Sequence, residues 1–287
     1  MVLPQFYVDD VIRTALKEDI NYLDTTTDLM IPEEARTTAR FMAKAEGVVC
    51  GLEIALRVFT LLDNTFSARV LVKDGDTVRP GELLAELEGR TRFLLKGERT
   101  ALNLLQHLSG VATATCRAVD IVKGTDASIA DTRKTLPGLR AMQKYAVTVG
   151  GGRNHRFNLS DGAMLKDNHI DAAGGIPAAV SMIREKLGHM VKLEVETRNL
   201  EEVEQALKAG ADVIMLDNMD CPAMKQAAEL CRAAGRANGG HRPLLEASGG
   251  ITDETLRAVA ETGVDIISIG ALTHSVKALD ISMKITK

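Results

Sequence analysis

The amino-acid sequence predicts an α/β barrel, closed or partly open, and three observations support this prediction. Short apolar runs alternate with helical segments after about residue 126, a pattern typical of parallel βαβ units. Charged residues or glycines follow nearly every apolar run, as expected where barrel strands end at one mouth. The chain before residue 110 has a different, β-rich pattern. We therefore place a domain boundary near residues 110–125.

The first part of the chain combines helices with β-rich segments. An apolar run that contains Asp9 and Asp10 predicts a helix that begins near one of these residues. Turn signals at Asp74-Gly75 and Pro80-Gly81 separate apolar stretches, which predicts strands. The predicted elements are a helix, two β-rich segments and a long helix, at residues 8–18, 38–50, 66–93 and 97–122.

The second part of the chain contains six apolar runs with the length of buried strands. They are Ser128-Ile-Ala, Gly162-Ala-Met-Leu, Val191-Lys-Leu-Glu-Val, Val213-Ile-Met-Leu, Leu244-Leu-Glu-Ala and Asp265-Ile-Ile-Ser-Ile. Helix candidates lie between them, near residues 138–149, 173–187, 199–209, 222–235 and 253–262. Strands and helices that alternate in this way predict a parallel sheet with helices outside it.

Charge is distributed unevenly along the chain. The net charge is −4, which argues against a generally basic surface for nucleic acid. The segment from Asp131 to His169 nevertheless has seven Lys or Arg residues and only three acids. A basic island in an acidic protein predicts a compact anion site. Within it, we expect Arg140 and Lys144 to lie on a solvated helix face.

The remaining composition predicts a cytoplasmic protein. The four cysteines form no Cys-x-x-Cys pair, and we expect them to be reduced thiols, with neither a disulfide framework nor a zinc site. The N-terminus lacks the pattern of a signal peptide, and no apolar stretch is long enough to cross a membrane. We therefore expect no membrane partner.

Polar residues at the predicted strand ends form the candidate active site. Five cationic or imidazole side chains follow the early strands, and they are Arg133, Lys134, His155, Arg156 and Lys166. Arginine grips a carboxylate with two parallel hydrogen bonds, and lysine adds a compact positive charge. Glu196 and Asp217 end two middle strands and suit sugar hydroxyls, Mg²⁺ held through water, or a developing cation.

The last two strands end in a candidate phosphate site. Ser248, Gly249 and Gly250 precede a helix, and Gly270 follows the next strand. Backbone N–H groups at a helix start favour anions, and the last two loops of such barrels often bind phosphate. The whole layout suits a sugar phosphate that meets an anionic partner.

Long motifs in this sequence closely resemble those of the quinolinate phosphoribosyltransferases. They are Gly97-Glu-Arg-Thr-Ala-Leu-Asn, His107-Leu-Ser-Gly-Val-Ala-Thr, Asp131-Thr-Arg-Lys-Thr-Leu-Pro-Gly-Leu-Arg, Gly150-Gly-Gly-Arg-Asn-His-Arg, Lys166-Asp-Asn-His, Leu193-Glu-Val-Glu and Leu216-Asp-Asn. The resemblance covers nearly the whole chain, with the motifs in family order. It implies an open, TIM-like α/β barrel of about seven strands with an N-terminal α/β sandwich. We divide the chain accordingly into residues 1–115 and 116–274, with residues 275–287 as a candidate return to the first domain.

The resemblance also implies an activity. A member of this family is a pentosyltransferase that joins quinolinate to phosphoribosyl pyrophosphate (PRPP) with Mg²⁺, giving nicotinate mononucleotide, pyrophosphate and CO₂ in NAD biosynthesis. By resemblance, the two carboxylates of quinolinate are held by Arg133, His155, Arg156 and Lys166, and Thr132 is a further substrate-binding residue. Lys134, Glu196 and Asp217 match catalytic groups around ribose, pyrophosphate and Mg²⁺, with the metal held through water. Ser248, Gly249, Gly250, Gly270 and His274 match the 5′-phosphate pocket.

The same resemblance implies an oligomer. Arg99 matches an arginine that reaches the neighbouring subunit's site, so the working unit is expected to be a homodimer, and the sequence leaves open a hexamer. Two alternatives remain: a nicotinate phosphoribosyltransferase without decarboxylation, and an inactive homologue that binds an anionic ligand. Leu136 departs from the family's usual threonine, and the segment from Asn21 is also a variant. Neither departure falls on the charged residues.

Overall fold

The computed structural model describes residues 3–286, which form two compact units. Unit 1 contains the chain up to Cys116, the segment Thr135–Gly151 and the chain from Ala271 onward. Unit 2 contains Arg117–Lys134 and Gly152–Gly270. The division thus differs from one cut near residue 115, because a segment within the barrel sequence belongs to unit 1. The expected α/β class, with a parallel barrel-type sheet after an N-terminal α/β part, is confirmed.

Helices and strands alternate along most of the chain. The helices are α1 (Gln5–Asp19), α2 (Thr25–Met30), α3 (Leu52–Leu62), α4 (Thr91–Val122), α5 (Arg140–Val149), α6 (Asp167–Ala173), α7 (Ile176–Arg184), α8 (Leu200–Ala209), α9 (Cys221–Ala237), α10 (Asp253–Ala260) and α11 (Ala271–His274). The strands are β1 (Arg36–Ala43), β2 (Gly47–Val48), β3 (Ser67–Val70), β4 (Thr77–Val78), β5 (Leu83–Arg90), β6 (Ser128–Ala130), β7 (Ala163–Leu165), β8 (Leu193–Thr197), β9 (Val213–Asp217), β10 (Leu244–Ser248), β11 (Ile266–Ser268) and β12 (Ile281–Thr286).

Unit 1 is built on an antiparallel sheet with the strand order β12-β1-β5-β3. Its C-terminal strand pairs with β1 from Thr38↔Thr286 to Ala43↔Ile281. A smaller two-stranded ribbon joins β2 and β4. The apolar core includes the fully buried rings of Phe41 and Phe59, whose centroids lie 6.1 Å apart. Alternation of buried and exposed residues along β1 follows from the two-residue period of a strand.

Unit 2 is built on a parallel sheet with the order β6-β11-β10-β9-β8-β7. A strand forms at each of the six predicted runs. An isolated parallel bridge between Ala130 and Arg153 adds a seventh, one-residue position beside β6. Since this bridge stands at one edge of the sheet and β7 at the other, the described strands form an open arrangement.

Local sequence signals explain the ends of several unit 2 helices. Asn199 accepts a hydrogen bond from Glu202 N at the start of α8, and Gly210 ends that helix in a left-handed conformation (φ 82°). Asp220 similarly accepts from Ala223 N at the start of α9. The helix predicted at residues 173–187 corresponds to α7, and Gly174 and Gly175, with positive φ values of 82° and 123°, separate it from α6.

Three further details differ from the expectations. Helix α1 starts at Gln5, so Asp9 lies in its interior, where it forms an ion pair with Arg57 at 2.7 Å. Helix α4 starts at Thr91, inside the segment expected to be β-rich. Lys144 is fully buried, so the prediction of a solvated position was wrong. It lies on α5, most of whose residues are also buried. Arg140 is half-buried and donates a hydrogen bond to Thr135 Oγ1 at 2.9 Å.

Two sequence features that we used to predict the cellular compartment, the cysteines and the lack of a membrane-spanning stretch, can be compared with the structure. All four cysteines are free thiols. Within residues 3–286, no helix combines the length and apolar character that a bilayer-spanning segment requires.

Candidate active site

Residues at the carboxyl ends of the unit 2 strands line one cavity of about 160 Å³. The sequence places them there through the strand period: positions i and i+2 of a strand face the same side of a sheet. Met164 and Lys166 show this spacing at β7, and Met215 and Asp217 show it at β9. The other lining residues are Thr132, Arg133, Lys134, His155, Arg156, Glu196, Glu246, Ser248 and Ser268. The structure thus brings together nearly all the predicted barrel residues.

Positive side chains crowd one part of this cavity. Burial lowers the pKa of Arg156, the nearby Arg133 lowers it further, and the charge of Glu194 opposes both effects. The Arg156 guanidinium is held by Gly162 O at 2.8 Å and lies 3.5 Å from Met164 Sδ. The two neighbouring guanidinium groups repel each other, and a bound anion would relieve this repulsion.

Two carboxylates share the cavity with these cations. Lys166 Nζ lies 3.7 Å from Glu196 Oε2. Burial raises the pKa of Glu196, the Lys166 charge opposes this, and the nearby carboxylate of Asp217 raises the pKa again. Asp217 Oδ2 accepts a hydrogen bond from Asn218 Nδ2 at 3.0 Å. Neighbouring acids of this kind can be stabilised by a metal ion or by positive charge that develops on a substrate.

His155 is held by the protein on three sides. Its backbone N–H donates to Asp131 Oδ1 at 2.9 Å, and its Nδ1 accepts from Arg156 N at 2.7 Å. Its Nε2 lies 3.0 Å from Glu194 Oε2 and 3.6 Å from Glu246 Oε1. Both ring nitrogens therefore contact protein groups, and the substrate contact that we predicted for His155 stays a prediction.

Glu194 and Glu246 are the site residues that the sequence reasoning missed. Both are buried, and one oxygen of each, Oε1, has no hydrogen-bond partner within residues 3–286. Burial raises the pKa of Glu246 to about 7, the Glu194 charge acts in the same direction, and His155 opposes it. The signal was present in the strand period: Glu194 precedes Glu196 by two residues, and Glu246 precedes Ser248 by two.

The predicted phosphate loop stands at the same strand ends. Ser248 ends β10, and Gly249 and Gly250 follow it with φ values of 92° and 60°. A Cβ at Gly249 would collide with the side chain of Asn218, whose own φ is 54° and whose N–H donates to Ser248 O at 2.9 Å. The loop therefore requires glycine next to Asn218. Gly270 follows β11, whose Ser268 also lines the cavity.

Two predicted site residues belong to unit 1. Arg99 lies on α4 with 64% of its side chain exposed, and His274 ends α11 and is exposed. Their predicted roles stay predictions. His169 has a structural contact: its Nδ1 accepts a hydrogen bond from Lys166 N at 3.0 Å at the start of α6.

An open parallel barrel with cations, paired acids and a glycine loop at its strand ends is characteristic of barrel enzymes that bind phosphate-bearing anions. Residues 24–109 match the N-terminal domain of quinolinate phosphoribosyl transferase, and residues 111–284 match its C-terminal domain. The chain belongs to the quinolinate phosphoribosyl transferase family. The resemblance inferred from the motifs is thereby confirmed.

Individual relatives agree with this assignment. The chain is 48% identical over 269 residues to a probable nicotinate-nucleotide pyrophosphorylase [carboxylating] of Bacillus subtilis, covering 94% of this chain and 90% of that protein. It is 43% identical to the nicotinate-nucleotide pyrophosphorylase [carboxylating] of Mycobacterium leprae, covering 96% and 95%. The crystal structure of NadC from Streptococcus pyogenes superposes with a TM-score of 0.93 at 42% identity, covering 100% and 99%.

Proposed function

We propose that this chain, an enzyme of the quinolinate phosphoribosyl transferase family, transfers the phosphoribosyl group of PRPP to the ring nitrogen of quinolinate with loss of CO₂. The products are nicotinate mononucleotide and pyrophosphate. One observation carries the proposal: Arg133, Lys134, Arg156 and Lys166 line the same cavity as Glu196 and Asp217. The relatives named as carboxylating pyrophosphorylases support the choice of reaction.

The positive side chains account for binding of the dianionic pyridine. Arg133 and Arg156 have the fork geometry that holds a carboxylate through two hydrogen bonds, and Lys166 adds a third positive charge. Thr132 lines the cavity beside Arg133 and supplies a hydroxyl. Arg99 of a second copy would complete the site, which requires a homodimer or a larger assembly such as a hexamer.

The acids and Lys134 account for the handling of PRPP. Glu196 and Asp217 supply the hard oxygen ligands that Mg²⁺ prefers, and the raised pKa of Glu196 beside Asp217 fits a site where a cation relieves repulsion. Both would hold Mg²⁺ through water. The metal would supply charge neutralisation for the leaving pyrophosphate. Lys134 would add a positive charge on the same leaving group.

The protein's part in the reaction is to position charges. As pyrophosphate leaves, ribose C1 becomes positive, and the carboxylates of Glu196 and Asp217 stabilise that charge. The quinolinate nitrogen attacks C1 with its own lone pair, so no side chain has to remove a proton. The C2 carboxylate then leaves as CO₂, because the positively charged ring nitrogen stabilises the electron pair that remains on C2. This carbon finally takes up a proton from solvent, which gives nicotinate mononucleotide.

The glycine loop accounts for the 5′-phosphate. Ser248, Gly249 and Gly250 would donate hydroxyl and backbone hydrogens to it, with Gly270 and His274 as further contacts. Positive φ at both loop glycines is a conformation that glycine adopts without a Cβ clash, so the backbone of this loop could approach a phosphate closely. We place the reaction in the cytoplasm, in keeping with free cysteine thiols.

The decisive experiment is release of ¹⁴CO₂ from quinolinate labelled in the 2-carboxylate. Purified protein with Mg²⁺ and PRPP is expected to release the label, and a control without PRPP is not. Conversion of labelled nicotinate instead of quinolinate would favour the alternative without decarboxylation. Binding of quinolinate without release would favour the inactive anion-binding homologue and contradict the proposal.

Complementation tests the shared site. Arg99→Ala and Lys134→Ala chains are each expected to lose turnover while they keep the wild-type thermal stability. A mixture of the two is expected to regain a fraction of the activity, since one site of a mixed dimer would carry both intact residues. Mixed dimers that form, as judged by differently tagged subunits, but show no recovery would contradict a site completed by Arg99.

A further inference from the structure

Three buried acids lie next to His155, one of the residues that line the cavity. Glu194 is 6% exposed and Glu246 is 2% exposed, and Asp131 is fully buried. All three approach one residue, His155, whose side chain is 13% exposed. A buried carboxylate is costly unless a hydrogen-bond donor or a positive charge faces it. The hydrogen-bond donors near His155 therefore determine how these buried carboxylates are compensated.

Hydrogen bonding determines which ring nitrogen of His155 carries the proton. Nδ1 accepts the backbone N–H of Arg156 at 2.7 Å, so it has no hydrogen of its own. The hydrogen of a neutral ring must then be on Nε2. Glu194 Oε2, at 3.0 Å from Nε2, is within hydrogen-bond distance to accept it, whereas Glu246 Oε1 at 3.6 Å is beyond that distance.

The same atoms have a spacing that could suit a metal ion. One ligand atom from each of His155, Glu194 and Glu246 lies within 4.8 Å of the others. A metal at Nε2 would need the hydrogen moved to Nδ1, where the N–H of Arg156 opposes it. The hydrogen-bond arrangement thus favours a proton between His155 and Glu194 over a metal.

The ring of His155 connects Glu194 to Arg156. Its Nε2 faces Glu194, and its Nδ1 fixes the backbone N–H of Arg156. The Arg156 guanidinium, held at its far end by Gly162 O, lines the cavity. Loss of the acceptor at Nε2 would release the ring and, through it, the backbone position of Arg156.

We propose that Glu194 is a positioning residue: it accepts the Nε2 hydrogen of His155, which fixes the backbone of Arg156 and aims its guanidinium at the cavity. His155 then acts on the cavity through Arg156. The kinetic part of this proposal rests on the proposed function, and the spectroscopic part does not.

The first test is ¹H–¹⁵N NMR of protein labelled at its histidines, with the signal assigned by its loss in His155→Asn. The wild-type ring is expected to carry its hydrogen on Nε2, with the proton signal shifted downfield by the bond to Glu194. Glu194→Gln, whose side-chain oxygen can accept, is expected to keep this signal. Glu194→Leu is expected to lose the downfield shift. A wild-type ring protonated at Nδ1 would overturn the proposal.

Glu246→Gln is the matched control, because it changes a neighbouring buried acid outside hydrogen-bond distance of Nε2. It is expected to leave the Nε2 signal in place. Loss of the signal in Glu246→Gln together with its retention in Glu194→Leu would assign the acceptor to Glu246 and overturn our assignment.

Steady-state kinetics supplies the second test. Glu194→Leu is expected to raise the KM for quinolinate about tenfold, the size expected for one lost hydrogen bond to a charged group, while the KM for PRPP stays within twofold. Glu194→Gln is expected to restore the quinolinate KM. Equal increases in both KM values would indicate general disruption and contradict a positioning role. If wild-type protein releases no CO₂, the proposed function fails while the NMR test still stands.

Discussion

Asp63 in unit 1 and Glu246 in unit 2 are both buried acids, yet their surroundings are opposite. Asp63 accepts hydrogen bonds from the backbone and side chains of Thr65 and Arg90, the Arg90 Nη2 distance being 3.0 Å. Burial alone would raise the pKa of Asp63, but these donors hold it well below its usual range. Glu246 has an unpartnered oxygen and a pKa raised to about 7.

The difference separates an acid that supports the fold, Asp63, from an acid that lines the candidate active site, Glu246. A buried carboxylate with a full set of donors stabilises the fold, because its charge is compensated in the folded state. A buried carboxylate without such a set costs stability, and such groups persist where function requires them. Unit 1 therefore uses its buried acid as a structural element, and unit 2 places its buried acids beside the cavity.

The largest expected effect comes from removal of a cavity acid. Glu196→Ala is expected to lower kcat by about 100- to 1,000-fold, the range seen when one charge-stabilising group is removed. The affinity for quinolinate is expected to change little, because the carboxylates of quinolinate are held by the cations. Steady-state kinetics with quinolinate-binding calorimetry tests this, and Glu204→Gln, at an exposed helix pair, is the control. A pure loss of affinity would contradict the catalytic role.

The next effect is on the stability of unit 1. Asp63→Asn is expected to lower the free energy of unfolding by about 3 kcal/mol, because it leaves the half-buried Arg90 without its partner. Urea denaturation measures the loss. Glu88→Gln is the control: its ion pair with Arg36 is exposed on both sides, and such pairs contribute under about 1 kcal/mol. Equal losses in both variants would remove the distinction drawn for Asp63.

The pH dependence of stability is expected to have opposite signs for the two acids. The pKa of Glu246 is raised from 4.5 to about 7. Protonated Glu246 therefore contributes fully to the free energy of unfolding below pH 4.5, and this contribution is lost as the pH rises to about 7. The pKa of Asp63 is lowered, so its contribution is present above its ordinary value of 3.8 and is lost as the pH falls.

Glu246→Gln isolates the unit 2 part of this pH dependence. In metal-free buffer at pH 8 the variant is expected to be more stable than the wild type, by at most about 3 kcal/mol, since one pKa unit corresponds to about 1.4 kcal/mol. The two proteins are expected to converge near pH 4.5. Urea denaturation across this pH range measures the free energy of unfolding of both proteins. A more stable wild type at pH 8 would show that Glu246 is stabilised as an anion.

The smallest effect concerns the glycine loop. Gly249→Ala is expected to lower stability by about 1 to 2 kcal/mol and to raise the KM for PRPP, because positive φ and the Asn218 contact both oppose a Cβ. Gly240→Ala is a close control: its φ is 93° against 92°, and nothing lies within 4 Å of its added Cβ. Thermal melting that shows the same loss for both would mean that the Asn218 contact contributes nothing.

The sequence by itself determined the fold class and the membership of most of the cavity. The six strands of unit 2 could be predicted because apolar runs and the helices between them are local patterns. The polar residues after those runs could be assigned to one mouth because parallel strands end together. Long motifs in order indicated the family, which the domain matches confirm.

Only the tertiary structure decided which buried polar groups face one another. Lys144 carries no local signal of burial, and its burial depends on the segments that pack around α5. Glu194 and Glu246 lie more than fifty residues apart in sequence and meet at His155 only because β8 and β10 stand in one sheet. Strand period and strand ends are local properties of the chain, whereas burial and hydrogen-bond partners depend on distant segments that packing brings together.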